Sequence, residues 1–150
     1  MMDIVDSATR SRMMAGIKSR NTKPELLIRS ILHHRGFRFR LHVKDLPGKP
    51  DIVLPKYHTV IFIHGCFWHG HENCRLFKLP GTRSEFWQKK IETNRKNDSR
   101  SVGSLREKDW KVCVVWECRI RKEKKDLSQL ADIISSFIKG SDSFLELGSS

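Results

Sequence analysis

The sequence predicts an α/β protein in which helices flank a mixed β-sheet. Short apolar runs rich in Val, Ile and Leu predict buried strands over residues 51–54, 59–63 and 112–116. Apolar residues at helical spacing lie on both sides of these strands, at 22–36 and 125–139. Because helices and strands alternate along a chain of 150 residues, we expect one layered domain over residues 1–140.

The first clearly marked helix is predicted to begin at Thr22. Thr22 is a favourable N-cap, Pro24 fits the first turn, and Glu25 completes a capping box. Gly36 is a natural stop after the apolar face, which comprises Leu26, Leu27, Ile28, Ile31 and Leu32. A further helix is expected upstream, over residues 8–18.

Strands and an irregular loop are predicted next. Residues 37–41 alternate apolar and basic side chains, which is typical of a half-buried strand. Residues 55–58 are expected to join two strands as a hairpin. Residues 65–83 are rich in Gly, His, Cys and Pro, and this composition predicts irregular structure.

Helices are expected to dominate the second half of the chain. Ser84 can cap a helix that runs toward Arg100, and a second helical piece is expected to reach Lys108. The last predicted helix spans residues 125–139. Residues 141–150 are expected to form a disordered tail.

The charge balance favours a polyanionic partner. Lys and Arg number 29 against 17 Asp and Glu, a net charge of +12, which indicates nucleic acid unless the basic surface is simply solvated. No apolar run approaches the roughly 18 residues that span a bilayer. Residues 1–10 carry no apolar secretory signal. We therefore expect a cytoplasmic protein that has no membrane partner and whose four cysteines are reduced and available to a metal.

Cysteine and histidine side chains form a candidate zinc site. The irregular loop contributes three ligands and the end of the strand at 112–116 a fourth, giving the set Cys66, His71, Cys74 and Cys118. A Cys3His set closes a tetrahedral site, which indicates structural and not catalytic zinc. His69 is a competing imidazole, because spacing alone does not separate it from His71. Cys113 lies inside the strand and is expected to be a buried thiol.

A second cluster of acidic and imidazole groups suits hydrolysis beside a divalent cation. Asp51 and His64 lie on adjacent predicted strands, and the Asp51 carboxylate can hold Mg²⁺. His64 and His69 can act as general acid or base, and Asp98 can orient an imidazole. Taken singly, each residue has a plainer interpretation. Asp51 can be a strand-edge carboxylate, either histidine can be a hydrogen-bonded loop residue, and Asp98 can be a solvated helix charge.

Phe67 and Trp68 are consecutive aromatic residues in the predicted loop. Adjacent side chains on a loop do not easily both enter a core, and exposed rings beside a basic surface can insert between DNA base steps. A mismatched step costs least to open. Trp87 is a third candidate, although its spacing of four from Ile91 also fits an ordinary core position.

Several blocks of the sequence together resemble the very-short-patch-repair (Vsr) endonucleases. The blocks are residues 46–51, 60–69 with the HGCFWH core, 82–87 and 115–118. Residues 8–12 and Met14 also fit the opening of that family, so the resemblance covers nearly the whole chain. It implies a restriction-endonuclease-like fold.

The resemblance implies a specific activity. Vsr enzymes hydrolyse the phosphodiester 5′ to the thymine of a T:G mismatch with Mg²⁺, and such mismatches arise when 5-methylcytosine deaminates. A cytosine-5 DNA methyltransferase is then the expected functional companion, mismatch-repair proteins are expected partners, and a single-strand cut suits a monomer. Two rivals stay open: another nuclease of the same fold would cut paired or branched DNA, and a zinc-stabilised DNA-binding module would not cut.

The resemblance also implies residue roles around the reacting phosphate. Asp51 and the backbone carbonyl of Ile63 match Mg²⁺ ligands. His69 matches the general acid/base, with Asp98 as its partner. His64 matches a second active-site imidazole, and Glu25 matches an acidic residue near the active site.

The zinc ligands and intercalating residues of the family match the two sets already described. The zinc ligands match Cys66, His71, Cys74 and Cys118, and the intercalating aromatics match Phe67, Trp68 and Trp87. The sequence departs from the family at two places. Ile63 replaces the usual Thr, and residues 72–73 make the stretch between the last two loop ligands one residue longer.

Overall fold

The computed structural model describes residues 22–148 and shows helices on both faces of one β-sheet. The helices in this range are α1 (Lys23–His34), α2 (Ser84–Glu107), α3 (Glu117–Lys122) and α4 (Ser128–Lys139). The strands are β1 (Arg40–Leu41), β2 (Ile52–Leu54), β3 (Thr59–His64), β4 (Lys111–Trp116) and β5 (Phe144–Leu147). The helix expected over residues 8–18 lies outside the described residues. Within them, no helix combines the length and apolar character that a bilayer crossing requires.

The sheet is mixed, as the sequence predicts. Its strands lie in the order β1-β2-β3-β4-β5, antiparallel from β1 to β3 and parallel from β3 to β5. The hairpin between β2 and β3 is confirmed, with a 3-10 turn at Pro55–Tyr57 and a left-handed His58. His64 pairs with Trp116 in the parallel register, so the carboxyl ends of β3 and β4 meet where the irregular loop begins.

The strands bury apolar side chains on both faces of the sheet. One face packs with α1 and α4 through residues such as Ile61, Leu32 and Ile134. The other face packs with α2 through Phe62 and Leu105, and its apolar cluster extends to the candidate zinc ligands. Burial on both faces explains why β3 and β4 appear in the sequence as continuous apolar runs.

Helix α1 begins at the predicted cap. Thr22 Oγ1 accepts a hydrogen bond from the Glu25 N–H at 3.4 Å, so Thr22 is the N-cap. The Glu25 carboxylate is 2% exposed and pairs with Arg29 and with His42. The end of α1 also follows the sequence, because Gly36 has a φ of 81°, which glycine adopts at little cost.

Two predicted boundaries are wrong. The strand expected over residues 37–41 shortens to Arg40–Leu41, because Phe37 packs into the core edge-on to Tyr57, with ring centroids 5.7 Å apart. The helix expected in two pieces is the single helix α2. Ser84 is its first residue and not its cap: Arg83 precedes it with a left-handed φ of 56°, and no side chain among residues 22–148 caps this end.

The largest correction concerns the end of the chain. The expected disordered tail is wrong for residues 144–147, which form β5. Strand β5 pairs in parallel with β4 from Phe144 to Leu147 and so satisfies the backbone groups along that side of β4. Leu147 is 6% exposed, and the strand therefore also contributes to the core.

Candidate active site and metal cluster

Four ligand atoms from the irregular loop and the start of α3 converge as the sequence predicts. The ligand atoms of Cys66, His71, Cys74 and Cys118 all lie within 4.8 Å of one another. His71 Nδ1 is 3.5 Å from the Sγ atoms of both Cys66 and Cys118. Ordinary Zn–S and Zn–N bonds in a tetrahedron separate such atoms by about 3.6 Å. The cluster therefore suits a structural zinc ion.

His71, and not His69, joins the three thiols, which decides the alternative that spacing left open. Burial raises the pKa of the Cys66 thiol, and the Cys118 thiol raises it further, although the hydrogen bond from the Cys118 N–H opposes the shift. A zinc ion would offset this cost, because thiolates bind it in their deprotonated form. Cys113 is fully buried inside β4, where burial raises the pKa of its thiol to about 12, and it belongs to the core as expected.

Helix α2 holds the irregular loop in place on both sides of His69. Asn94 Nδ2 donates to the Trp68 carbonyl and Arg95 Nε donates to the Gly70 carbonyl, both at 2.8 Å. Gly70 has a φ of 59°, and a Cβ at this position would lie 2.4 Å from Ile91 Cγ2. Glycine therefore permits both the turn and the close approach of the loop to the helix.

Asp51 lies immediately before β2 and is largely buried. Its Oδ2 accepts a hydrogen bond from the Ile63 N–H at 2.7 Å, so the carboxyl reaches the end of β3. Burial raises its pKa to about 7, although the Ile63 hydrogen bond opposes the shift. Carboxylate and carbonyl oxygens are the ligands that Mg²⁺ prefers, and a cation would favour the ionised form of Asp51.

His64 and His69 form a stacked pair beside Asp98. Their ring centroids are 3.9 Å apart with 4° between the planes, and His69 Nδ1 lies 2.6 Å from Asp98 Oδ2. His64 is 5% exposed, and its Nδ1 has no hydrogen-bond partner in the described part of the chain. Burial lowers the pKa of His64, so its imidazole is neutral at neutral pH.

The predicted carboxylates and imidazoles share one cavity. It encloses about 230 Å³, and its lining includes Asp51, Ile63, His64, His69 and Asp98. Lys49, which sequence reasoning missed, also lines it. The only signal for Lys49 was its position two residues before Asp51. The structure thus brings together every residue that the sequence assigned to the reacting phosphate except Glu25.

Glu25 lies on the other side of Asp51. The two carboxylates line a second cavity of about 220 Å³, together with Phe67, Trp68 and Glu117. The Glu25 carboxylate is 2.7 Å from His42 Nε2 and also pairs with the Arg29 guanidinium, which offsets its negative charge. The proximity of Glu25 raises the pKa of Asp51 in addition to burial.

The predicted aromatic residues form one cluster. Ring centroids of Phe67, Trp68 and Trp87 are separated by 5.3, 5.5 and 5.7 Å, and all three side chains are half-buried. Sequence reasoning missed Phe86, which is 46% exposed and packs edge-on to Trp87 at 5.2 Å. The Arg83 guanidinium lies 4.4 Å above the Phe86 ring. The cluster therefore reaches the surface beside a basic group.

Comparisons with known proteins indicate a DNA-cutting enzyme. A family described as DNA mismatch endonuclease Vsr matches residues 2–75. The chain is 45% identical over 141 residues to the DNA mismatch endonuclease Vsr of Escherichia coli, covering 93% of this chain and 90% of that one.

Two further relatives are type II nicking enzymes. V.XorIIP of Xanthomonas oryzae is 49% identical over 120 residues, or 80% of this chain and 88% of the relative. V.NmeAIP of Neisseria meningitidis is 46% identical over 123 residues, or 82% and 87%. The fold, the site and these matches define a DNA endonuclease of the nicking type. The chain belongs to the Vsr family of DNA mismatch endonucleases.

Proposed function

We propose that this endonuclease recognises a T:G mismatch in duplex DNA and, with Mg²⁺, cuts the strand 5′ to the mismatched thymine. The observation that carries the proposal is the His69–Asp98 pair, 2.6 Å apart, in one cavity with Asp51 and His64. The relatives include a mismatch endonuclease and type II nicking enzymes, so the family alone leaves the preferred substrate open. The proposed cut would begin very short patch repair after deamination of 5-methylcytosine.

The Asp51 carboxylate and the Ile63 carbonyl would hold the Mg²⁺ ion. Both offer hard oxygen ligands at the end of β3, and the buried carboxyl gains from a cation beside it. When bound, the ion supplies positive charge beside the phosphate and lowers the pKa of water in the site. Because the ligand is a carbonyl of the backbone, Ile63 can replace the usual Thr without loss of this group.

His69 would accept the proton of the attacking water. Its Nδ1 is engaged with Asp98, which leaves Nε2 as the nitrogen that can take up a proton. Asp98 fixes this tautomer and stabilises the imidazolium that forms. His64 packs against the His69 ring at 3.9 Å and so restricts its rotation.

The aromatic cluster would open the mismatched step. Phe67 and Trp68 directly precede His69 on the same turn, and the Trp68 carbonyl is bound to α2. Aromatic rings that insert between base steps cost a few kcal/mol of unstacking, and a mismatched step costs least. The zinc ion, held by Cys66, His71, Cys74 and Cys118, would fix the shape of the loop on which these rings lie.

A nicking assay tests the proposal directly. Labelled duplexes with one T:G mismatch in varied sequence contexts would be compared with fully paired T:A and C:G duplexes in the presence of Mg²⁺. We expect cleavage only of the T-containing strand, 5′ to the mismatched base. Equal cleavage of the paired duplexes would show a restriction-type nuclease instead, and tight binding without cleavage would show a binding module.

A substitution at His69 tests the proposed general base. His69→Ala should lower the rate of nicking by about 10²–10⁴-fold while leaving DNA binding intact, because only proton transfer is lost. His34→Ala is the matched control, since His34 is exposed at the end of α1. Full nicking by the His69 variant would remove this residue from the mechanism.

A further inference from the structure

The indole of Trp116 contacts imidazoles of both the candidate zinc site and the cavity. Trp116 is the last residue of β4 and is 7% exposed. Its ring stacks on His71 with centroids 4.0 Å apart and 5° between the planes. It meets His64 edge-on at 5.1 Å and His69 edge-on at 6.4 Å. A rotation of this side chain would therefore disturb all three imidazoles.

Strand β5 fixes the orientation of that indole. Trp116 Nε1–H donates to Glu146 Oε2 at 2.7 Å, a short bond to a charged acceptor. A buried indole N–H needs such a partner, and this one comes from a strand that pairs directly with β4. Glu146, His71, His64 and His69 also line one common cavity of about 480 Å³.

The residues after Glu146 pack against the metal cluster. A Cβ on Gly148 would lie 3.3 Å from His71 Cε1 and Nε2, so the chain passes close to this imidazole. The Gly148 carbonyl accepts a hydrogen bond from Arg119 on α3 at 3.2 Å. The end of β5 is thereby held beside the ligand whose ring stacks on Trp116.

We propose that Glu146 is a positioning residue that acts through Trp116 to hold His64 and His69 for DNA cleavage and His71 for zinc retention. For cleavage, the proposal rests on the proposed function of the two cavity imidazoles. Proton transfer requires near-ideal geometry, and a displacement of about 1 Å can cost 10²-fold in rate. Loss of the Glu146 acceptor frees the indole to rotate and releases the imidazoles that pack on it.

The test compares variants that differ only in whether they can accept the indole N–H. Glu146→Ala should lower the single-turnover rate constant for nicking by about tenfold with the affinity for DNA unchanged, because geometry and not DNA binding is lost. Glu146→Gln should stay within about twofold of wild type, because its amide oxygen still accepts the bond. Glu107→Ala is the matched control, since it removes a carboxylate that is exposed at the end of α2.

A double-mutant cycle shows whether Glu146 acts through Trp116. Trp116→Phe keeps a ring but removes the N–H, so adding Glu146→Ala should cause no further loss. Equal losses in the Gln and Ala variants, or additive losses in the cycle, would overturn the proposal. Circular dichroism and thermal unfolding verify that each variant is folded.

Zinc release provides a readout that does not depend on cleavage. A colorimetric chelator should remove zinc several-fold faster from Glu146→Ala than from wild type or Glu146→Gln. Equal release rates would overturn the role in zinc retention. The two proposals fail separately: an active His69→Ala variant contradicts the proposed function, whereas an inactive His69→Ala beside a fully active Glu146→Ala contradicts only this inference.

Discussion

Ionisation of the buried Asp51 carboxyl, at the proposed metal site, destabilises the folded protein. Burial raises the pKa of the carboxyl from 3.8 to about 7, while in the unfolded chain it returns to its ordinary value. Between these two pH values the Asp51 carboxyl is ionised in the unfolded chain but still protonated in the folded protein. Ionisation therefore stabilises the unfolded state, and the free energy of unfolding falls as pH rises. The loss is complete once the pH exceeds the folded pKa. A bound divalent cation would reverse it.

Asp51→Asn should therefore stabilise the protein above neutral pH in the absence of Mg²⁺. The amide oxygen can still accept the Ile63 N–H, but nothing ionises, so we expect a gain of roughly 1–3 kcal/mol at about pH 8. The gain should shrink toward about pH 5, as measured by urea unfolding at both pH values. Asp45→Asn is the control, since Asp45 is exposed. A gain that is independent of pH would contradict the assigned cause.

Residues with distinctive chemistry are those that the sequence predicts well. The contact between His69 and Asp98 and the convergence of three cysteines with His71 were both expected. Asn94 and Arg95 were missed because a polar residue on a helix is usually solvated, and no local pattern marks it otherwise. They acquire their function only because the loop passes within hydrogen-bonding distance, which depends on the tertiary structure.

At the scale of elements, the irregular loop is held from two directions. The Cys3His cluster brings residues 66, 71 and 74 together with Cys118 at the start of α3, and α2 binds the carbonyls of residues 68 and 70. Between these attachments lie the aromatic rings and His69. The loop lacks helix or strand at residues 65–83, so its shape depends on these contacts.

The metal contribution can be separated from ordinary core packing by comparing two cysteines. Cys74→Ala should leave much less than one zinc per chain, because a four-ligand site loses a member. Cys113→Ala should keep about one zinc and lose only roughly 1–3 kcal/mol of stability to a small cavity in β4. Zinc content by mass spectrometry and protease sensitivity of the loop check both outcomes. Retained zinc in the Cys74 variant would exclude it as a ligand.

Two glycines give an opposite pair of predictions for the α2 attachment. Gly70→Ala forces a Cβ to 2.4 Å from Ile91 at a φ of 59°, so it should cost at least about 1–2 kcal/mol and slow nicking. Gly103→Ala is the control: Gly103 is at an exposed position of α2, its Cβ would meet nothing within 4 Å, and the change should stabilise the protein by about 0.5–1 kcal/mol. Thermal unfolding measures both. A tolerated Gly70→Ala would mean that the loop does not need this close approach.

Element boundaries show where sequence patterns are insufficient. The long periodic or apolar segments α1, α4, β3 and β4 were predicted closely. Strand β5 was missed because four residues between Ser and Gly carry little pattern, and only the open side of β4 gives them a partner. The same strand supplies Glu146, so an element without a sequence signal contributes to the candidate site.

At the scale of the whole molecule, most of the candidate groups lie at one end of the sheet. The ends of β3 and β4 present His64 and Trp116, and the loop that follows β3 carries Phe67, Trp68 and His69. The two rings proposed to open DNA and the imidazole proposed to serve cleavage therefore belong to one turn. The net charge of +12 is spread through the chain, and it acts on any duplex regardless of sequence.

The aromatic rings are proposed to read the mismatch, whereas the net charge acts on any duplex. Mismatch preference and salt dependence should therefore respond to different residues. Trp68→Leu should reduce the preference for T:G over paired duplex by about 1–3 kcal/mol, the usual worth of one base–aromatic stack. The slope of log affinity against log salt should not change between about 50 and 200 mM, because no phosphate contact is lost. Leu41→Ala controls for the removal of an exposed apolar side chain on β1. Equilibrium binding to both duplexes across the salt series measures the two effects at once. An equal loss of affinity for mismatched and paired DNA would show that Trp68 supports general binding and does not read the mismatch.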